Sequence, residues 1–277
     1  MTQLPFDTTG FASLDDLDSD RWKEIFPHLE KVQQEFTRLQ FHGANYRWPR
    51  EPLYNCIRVW EYPFVYQQFA ALSSTAANGA KTVADLGSGA TFFPFALARL
   101  GFDVRAIDAD EAAEQALQRA IGTMPAQPGS VRFLRSDIAA LPLEDGSLNH
   151  AYCISVLEHL PEPWEAIREI RRVLKPGGLF VLTFDVSERS NHDLQPAAFR
   201  RLLETLQDGF VEINPRRIVH PSRVLNTYNS HYPLYPKRTG ISRAAREMLK
   251  CTRLALGKAD PEILVATYGV TLLRTAA

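Results

Sequence analysis

The chain has 277 residues, of which 45% are hydrophobic, and its 31 Lys and Arg are matched by 32 Asp and Glu. This length and composition suit one large α/β domain or a core with a smaller appendage. The balanced charge provides no overall basic field to attract nucleic acid or an anionic lipid surface, so neither is an expected partner.

The cysteines and the hydropathy pattern indicate a cytoplasmic protein. Cys56, Cys153 and Cys251 are odd in number and lack the spacing of a disulfide framework or of a metal site. No run reaches the roughly 20 apolar residues of a membrane span, and the first residues lack the basic and then apolar pattern of a leader. The sequence leaves the oligomeric state open.

Residues 1 to about 20 are acidic and lack clear periodicity, and a helical pattern follows them. Apolar residues recur at helical intervals in residues 20–26 and 29–39, and residues 45–66 then combine many aromatic side chains with arginines.

Two interpretations of this aromatic stretch remain open. Any one ring, such as Trp60, is more simply explained as core packing, because large aromatic side chains dominate cores. Arg50, Arg58 and Glu61 lie among the rings, however, and charged side chains are rarely buried unless they are paired or functional. We therefore predict that residues 1–78 form a helical cap on the substrate side of a site.

Residues 83–91, with the sequence VADLGSGAT, are the most informative stretch of the chain. An apolar run ends at Asp85, two glycines follow at Gly87 and Gly89, and residues 94–100 have helical spacing. A strand, a tight turn and a helix in this order are typical of a nucleotide-binding unit, because bare glycine backbone allows a ligand to approach closely.

The same turn argues against a dinucleotide cofactor. A dinucleotide fingerprint needs a third glycine where this chain has Phe92. The carboxylate of Asp85 at the strand end also suits a cationic or amine-bearing ligand better than a phosphate. A nicotinamide-dependent oxidoreductase is therefore disfavoured.

Strands and helices alternate beyond the turn, which predicts right-handed crossovers and a mostly parallel sheet. Strands are predicted at 81–86, 103–107, 131–135, 148–154, 178–185, 210–214 and 262–274, and helices at 92–100, 110–121, 163–174 and 196–208. The sequence thus predicts an α/β fold with seven strands.

Five segments in this order resemble the class I S-adenosylmethionine (SAM)-dependent methyltransferases. They are the glycine turn and residues 104–108 (VRAID), 131–137 (VRFLRSD), 148–160 (LNHAYCISVLEHL) and 174–182 (LKPGGLFVL). The resemblance implies a Rossmann-like, seven-stranded, mostly parallel sheet with an antiparallel last strand, to which the amino-terminal helical cap is added. It also implies an enzyme that transfers methyl groups, with SAM as cofactor.

The resemblance carries cofactor-binding roles onto matching positions. Asp85, Gly87 and Gly89 would lie along the methionine part of SAM, with Asp85 at the amino group. Asp108 would accept hydrogen bonds from both ribose hydroxyls. Asp110 opens the next helix and is interpreted as its N-cap.

Three later positions also match the family. Asp137 and the backbone of Ile138 match the position that binds the adenine amino group, with an ordinary loop aspartate as the alternative. Ser155 matches the floor beneath the transferred methyl group, and its alternative role is a hydrogen bond to nearby backbone.

Methyl transfer to a hydroxyl or thiol requires a group that removes a proton. His159 is the first candidate base, because a neutral imidazole accepts protons near pH 7. In the alternative, Glu158 and His159 serve structure or cofactor contacts at a helix start. His231 is the rival base. We predict no metal site, because the sequence offers no convincing set of oxygen ligands for a divalent ion.

The roughly forty residues between the last two strands exceed an ordinary connection, so we predict a substrate lid at about 220–261 within a SAM-binding core of residues 79–277. The predicted substrate-binding side chains of the cap and lid are Trp48, Arg58, Tyr62, Tyr228 and Tyr232.

An aromatic cap and lid enclose compact, partly apolar substrates. We therefore expect methyl transfer to a small or medium-sized molecule at oxygen. Two alternatives remain open: methylation of a carboxylate or amine on a peptide or protein, and a SAM-binding protein without catalysis.

Overall fold

The computed structural model describes residues 5–75, 82–187, 193–232 and 265–276. One sheet forms the centre of this part of the chain. Its strands are β1 (Gly10–Phe11), β2 (Thr82–Leu86), β3 (Asp103–Asp108), β4 (Ser130–Arg135), β5 (Leu148–Ile154), β6 (Leu174–Val186), β7 (Phe210–Glu212) and β8 (Ala266–Arg274).

The strands lie in the order β1-β8-β6-β5-β2-β3-β4, and β7 pairs with β8 on the same side as β1. Strands β2 to β6 pair with one another in parallel, whereas β8 is antiparallel to β6, β7 and β1. The predicted α/β class, the mostly parallel sheet and the antiparallel last strand are thereby confirmed.

The prediction of seven strands was one short for the described residues. All seven predicted strands are present, and the two-residue strand β1 adds an eighth. Gly10 has φ of +152°, and a Cβ there would lie 2.7 Å from the carbonyl oxygen of Arg217. A two-residue strand is too short to give the alternating pattern by which strands are recognised in a sequence.

Seven α-helices accompany the sheet in the described ranges. They are α1 (Leu14–Asp18), α2 (Asp20–Arg38), α3 (Arg58–Thr75), α4 (Phe93–Ala98), α5 (Glu111–Ile121), α6 (Pro163–Val173) and α7 (Pro196–Gln207).

The helices cover both faces of the sheet because successive strand residues point to opposite faces. Val83 and Tyr152 belong to the buried cluster that contains side chains of α2, α3, α4 and α5. Ala84 and Cys153 belong to the cluster that contains side chains of α6 and α7. Burial on both faces explains why the central strands are apolar runs rather than alternating patterns.

Residues 20–26 and 29–39, predicted as separate helical segments, form the single helix α2. Ser19 begins it by accepting a hydrogen bond from the Trp22 backbone N–H at 3.1 Å. Pro27 lies in the second turn without ending the helix.

Helix α3 packs its aromatic residues onto the sheet, as the core interpretation of Trp60 predicts. The Trp60 ring is buried and stacks on Phe64 with 4.7 Å between ring centroids. A Cβ on Gly269 of β8 would lie 2.7 Å from the Trp60 ring, so bare backbone at this position lets the helix approach.

Most of the predicted lid lies outside the described residues. The described part, residues 220–232, contains a short 3₁₀-helix at Pro221–Arg223 and single bridges from Val224 to Ser13 and from Asn226 to Ala266. None of the helices in the described ranges combines the length and apolar character needed to cross a membrane.

A buried ion pair joins the first helix to the connection after β7. Arg217 donates to both carboxylate oxygens of Asp16, at 2.8 and 2.5 Å. The indole N–H of Trp60 donates to the same carboxylate at 2.8 Å. Asp16 therefore ties three separate parts of the chain together.

We predict that Asp16→Asn lowers the free energy of unfolding by about 3 kcal/mol, because it leaves the largely buried guanidinium of Arg217 without its counter-charge. Urea denaturation measures this change. In the matched control Glu24→Gln, the ion pair with Arg21 is exposed, so a loss below about 1 kcal/mol is expected. Equal losses in the two variants would contradict the prediction.

Candidate functional site

A cavity of about 710 Å³ opens at the carboxyl ends of the central strands. Aromatic and apolar walls come from the amino-terminal segment and polar groups from the strand ends. The lining residues are Tyr46, Trp48, Pro49, Pro52, Asn55, Arg58, Tyr62, Gly87, Ser88, Gly89, Thr91, Asp108, Ala109, Asp110, Ser136, Asp137, Ile138, Ile154, Ser155, Val156, His159, Leu160, Asp185, Asp193 and Val265.

The glycine turn after β2 forms one wall of this cavity. Gly87 and Gly89 have φ of +73° and +54°, in the left-handed region that glycine adopts most easily. The N–H groups of Gly87 and Ser88 donate to the carbonyl of Ile107 at 2.8 and 3.0 Å, which ties the turn to β3. A Cβ on Gly87 would lie 2.5 Å from the side chain of Val156, so this packing excludes larger residues.

Asp108 ends β3 beside the glycine turn. Its Oδ2 accepts a hydrogen bond from the N–H of Gly89 at 2.7 Å, and its Oδ1 accepts from the N–H of Asp110 at 2.8 Å. Each carboxylate oxygen has a further lone pair for a ligand. Asp110 accepts from the N–H of Ala112 at 2.7 Å and caps α5, as predicted.

Asp85 lies behind the cavity wall rather than in it. Its side chain is buried, and burial raises its pKa to about 8, with the negative charge of Asp108 acting in the same direction. An ammonium group brought close to Asp85 would stabilise its ionised form.

Asp137 and Ile138 follow β4 and line the cavity together. Oδ1 of Asp137 accepts a hydrogen bond from the N–H of Ala139 at 2.9 Å, while the side chain remains exposed. Ile138 is buried and supplies an apolar surface beside this carboxylate.

The amino-terminal segment supports the glycine turn from the other side. The N–H of Ala90 donates to the hydroxyl of Tyr46 at 3.0 Å, and Nε2 of His42 lies 2.7 Å from the Ala90 carbonyl oxygen. His42 stacks on Tyr46 with ring centroids 4.3 Å apart, and burial lowers the pKa of His42. Tyr46 thus connects the segment before β2 to the cavity wall.

Ser155 ends β5 at the cavity floor in an unusual backbone conformation. Its φ is +47°, which non-glycine residues adopt rarely. Its hydroxyl donates to Oε1 of Glu61 at 2.6 Å. Glu61 is fully buried and lies 3.3 Å from Nη1 of Arg58, which lines the cavity. Although desolvation opposes its charge, the neighbouring acidic side chains raise the pKa of Arg58.

Two further acidic residues lie nearby: Glu158 in the 3₁₀-helix Leu157–His159 after β5, and Asp185 near the end of β6. The N–H of Asp185 donates to Oε1 of Glu158 at 3.1 Å, and the hydroxyl of Thr267 donates to Oδ1 of Asp185. Burial, reinforced by the charge of Glu61, raises the pKa of Asp185 to about 8. The pKa of Glu158 is also raised, through burial and the charge of Asp185.

The structure brings most of the predicted site residues to this cavity. His159, whose side chain is exposed, lines the cavity, and Trp48, Arg58 and Tyr62 line it too. Trp48 is 53% exposed, whereas Tyr62 is buried against Phe93. The catalytic and binding roles of these residues stay predictions.

The predicted lid residues do not line the cavity. Tyr232 packs against Tyr54 and Phe26, with ring centroids 6.4 and 6.0 Å apart. Tyr228 is 44% exposed, and His231 is exposed. These three side chains stand outside the set of cavity-lining residues within the described ranges.

Sequence reasoning missed Tyr46 and Asp185 as lining residues. A signal was present for both: Tyr46 lies in the aromatic stretch, and Asp185 ends an apolar strand in the same way as Asp85 and Asp108. Glu61 was recognised as unusual, but its partner Ser155 lies 94 residues away.

The residues present fit the cofactor that the sequence resemblance implies. The glycine turn and Asp108 face the cavity, and the buried carboxyl of Asp85 lacks a cationic partner among its described contacts. Within the described ranges, no three His, Cys, Asp or Glu side chains gather as a metal site.

Comparisons with known proteins give a family for the central part of the chain. A family model described as a methyltransferase domain matches residues 84–182. An uncharacterized methyltransferase from Mycobacterium sp. (strain JLS) is 36% identical over 108 residues, which cover 39% of this chain and 40% of that protein. Another from Mycobacteroides abscessus (strain ATCC 19977) is 34% identical over 106 residues, covering 38% and 40%. The chain thus spans about two fifths of these curated relatives.

Solved structures share the fold at low sequence identity. The [4+2]-cyclase SpnF has a TM-score of 0.54 and 21% identity, covering 79% of this chain and 84% of its own. The MccD protein has a TM-score of 0.52 and 13% identity, covering 80% of this chain and 100% of its own.

We predict that Asp85→Asn raises the melting temperature at pH 8 by at least about 3 °C, which corresponds to about 1 kcal/mol in the free energy of unfolding. The increase should be smaller at pH 5. The pKa of Asp85 in the folded chain, about 8, exceeds the usual unfolded value near 4. Between these values Asp85 keeps its proton in the folded state and loses it in the unfolded state. The free energy of unfolding therefore falls as pH rises from about 4 to about 8, and Asn, which does not ionise, removes this loss.

Thermal unfolding at the two pH values measures this effect. Glu144→Gln, which neutralises an exposed carboxylate, is the matched control and should give no such pH-dependent gain. A gain of equal size at pH 5 and pH 8 in Asp85→Asn would count against the assigned pKa.

Proposed function

Because residues 84–182 of this chain belong to the class I SAM-dependent methyltransferase family, we propose that the protein transfers a methyl group from SAM to an oxygen atom of a small or medium-sized molecule. The observation that carries this proposal is that the glycine turn and the Asp108 carboxylate face the same cavity of about 710 Å³. A cavity of this size is typical of small-molecule sites.

When bound, SAM supplies an electrophilic methyl group on a positively charged sulfonium. Gly87, Ser88 and Gly89 present backbone to one side of the ligand, and Asp108 offers carboxylate oxygens to hydroxyl groups. Asp85 provides a buried carboxyl whose ionisation an ammonium group would favour. These residues orient the reacting parts, which is a large share of the catalysis of a displacement reaction.

The cavity walls support a compact, partly apolar acceptor. Tyr46, Trp48 and Tyr62 present rings from the amino-terminal segment, and Ile154 and Val156 contribute aliphatic surface. Aromatic and aliphatic walls exclude water and hold an apolar molecule without fixing its identity.

Two side chains lining the cavity are suited to remove the proton of a hydroxyl acceptor. His159 is one, and its backbone is fixed by a 3.0 Å hydrogen bond from its N–H to the Val156 carbonyl. Asp185 is the other, because a carboxyl with a pKa of about 8 is a stronger base than an ordinary carboxylate.

The fold by itself does not establish methyl transfer, since one fold neighbour is named a [4+2]-cyclase. A test of the proposed function must therefore measure cofactor binding and transfer of the labelled methyl group separately.

We predict that Asp108→Ala weakens SAM binding at least about 30-fold, equivalent to about 2 kcal/mol, because charge-assisted hydrogen bonds to the ligand and to the Gly89 turn are lost. Isothermal titration calorimetry measures the affinity. Asp103→Ala is the matched control: Asp103 begins the same strand at the opposite end, so its loss should leave the affinity unchanged. Failure of the wild type to bind SAM would remove the proposed function.

We predict that turnover rises with pH through about pH 8 if Asp185 accepts the proton, because its carboxyl must be ionised to do so. Asp185→Asn should then lower turnover by about 10²-fold or more and abolish this rise. Methyl-labelled SAM with a panel of phenols, alcohols and carboxylic acids supplies the assay.

His159→Gln is the partner variant in this experiment. A loss of turnover confined to His159→Gln assigns the base to the histidine. If neither variant loses turnover, the proton of the acceptor passes directly to solvent. SAM binding without product from any acceptor in the panel would favour a non-catalytic SAM-binding protein.

A further inference from the structure

We propose that Glu61 of α3 is a positioning residue for the cofactor site: it fixes Ser155 and Arg58 at the cavity without contacting a ligand itself. This inference rests on the proposed function. Glu61 lies outside residues 84–182, which the methyltransferase-domain model matches. Helix α3 thus supplies a part of the site that the matched domain lacks.

The contacts of Glu61 are directed at the cavity floor. Its Oε1 accepts hydrogen bonds from the hydroxyls of Ser155 and Thr183, both at 2.6 Å. Its Oε2 lies 3.3 Å from Nη1 of Arg58. The carboxylate is fully buried, and a buried charge persists only where such partners compensate it.

Ser155 depends on these contacts because its backbone is held in a rarely populated conformation. The φ of Ser155 is +47°, and a non-glycine residue keeps such a conformation only where surrounding contacts hold it. The bond to Glu61 and a 3.0 Å hydrogen bond from its N–H to the Thr183 carbonyl provide that constraint.

The backbone conformation of Ser155 affects the glycine turn through the packing of the next residue. Val156 follows directly, and its side chain lies where a Cβ on Gly87 would come within 2.5 Å. A change of backbone at Ser155 therefore alters the packing of Val156 on Gly87, and with it the turn proposed to bind the cofactor.

Arg58 depends on Glu61 through charge. Its guanidinium donates to the Ile154 carbonyl at 3.1 Å and lines the cavity. Removing the charge of Glu61 leaves this guanidinium without its nearest counter-ion, and it is then free to take another orientation.

The competing explanation is that Glu61 only stabilises the fold. Asp16 provides the comparison, since it is also a buried carboxylate paired with an arginine. The side chain of Asp16 accepts hydrogen bonds from Arg217, Trp60 and the N–H of Ser13, and none of these residues lines the cavity. Loss of Asp16 therefore affects stability alone, whereas loss of Glu61 affects stability and binding.

The experiment compares Glu61→Gln with Asp16→Asn in the full chain. The affinity for S-adenosylhomocysteine is measured by calorimetry at a temperature where circular dichroism shows each variant to be folded. We expect Glu61→Gln to weaken binding at least tenfold and Asp16→Asn to leave it within twofold of the wild type. Affinity within twofold in Glu61→Gln, or an equal loss in both variants, would overturn the proposal.

Thr183→Val is the milder variant should Glu61→Gln fail to fold. It removes one of the two hydroxyls that bind Glu61 and keeps the side-chain shape. We expect a threefold or larger loss of affinity, and unchanged affinity would overturn the proposal. If the wild type itself does not bind the probe, the proposed function and this inference fail together. If the wild type binds the probe and the variants bind it equally well, the inference alone fails.

Discussion

The site depends on the parallel alignment of β2, β3, β5 and β6. In such a sheet all carboxyl ends lie along one edge, so the residues that end each strand gather there although they are far apart in the chain. Asp85, Asp108, Ser155 and Asp185 each end or follow a strand in this way. Their closeness follows from strand direction, and the burial that raises the pKa of two of these carboxyls follows from helices on both faces of the sheet.

Side chains from the segment before β2 support the cavity that forms at the strand ends. Tyr46 bonds to Ala90 of the glycine turn, and Glu61 bonds to Ser155 at the cavity floor. Two backbone segments with left-handed residues are thus each held by a side chain from the segment before β2. The same segment supplies Trp48 and Tyr62 to the cavity lining, so it contributes both to the support of the cavity wall and to the wall itself. The described residues 5–75 therefore contribute side chains that line the cavity and side chains that hold its wall in place. The sequence prediction of a cap concerned only the lining side chains.

Local patterns predicted the strands and helices of the core closely. The strand predicted at 148–154 coincides with β5, and the N-cap at Asp110 was recognised, since both depend on neighbouring residues. Periodicity carries no information on contacts between distant segments, which is why the pairing of Glu61 with Ser155 could not be predicted. The side chains of the proposed lid failed to meet the described cavity for the same reason: long connections follow tertiary packing rather than local sequence.

The short strands β1 and β7 have a consequence for solubility. Both pair with the same side of β8, so together they cover the backbone donors and acceptors that this nine-residue strand would otherwise present. The new border consists of pieces of two and three residues, too short to recruit a strand from another molecule. At the opposite border, β4 carries the exposed Arg132 and Arg135, and edge charges of this kind resist added strands. The sheet is thereby protected at both borders against growth into an intermolecular aggregate.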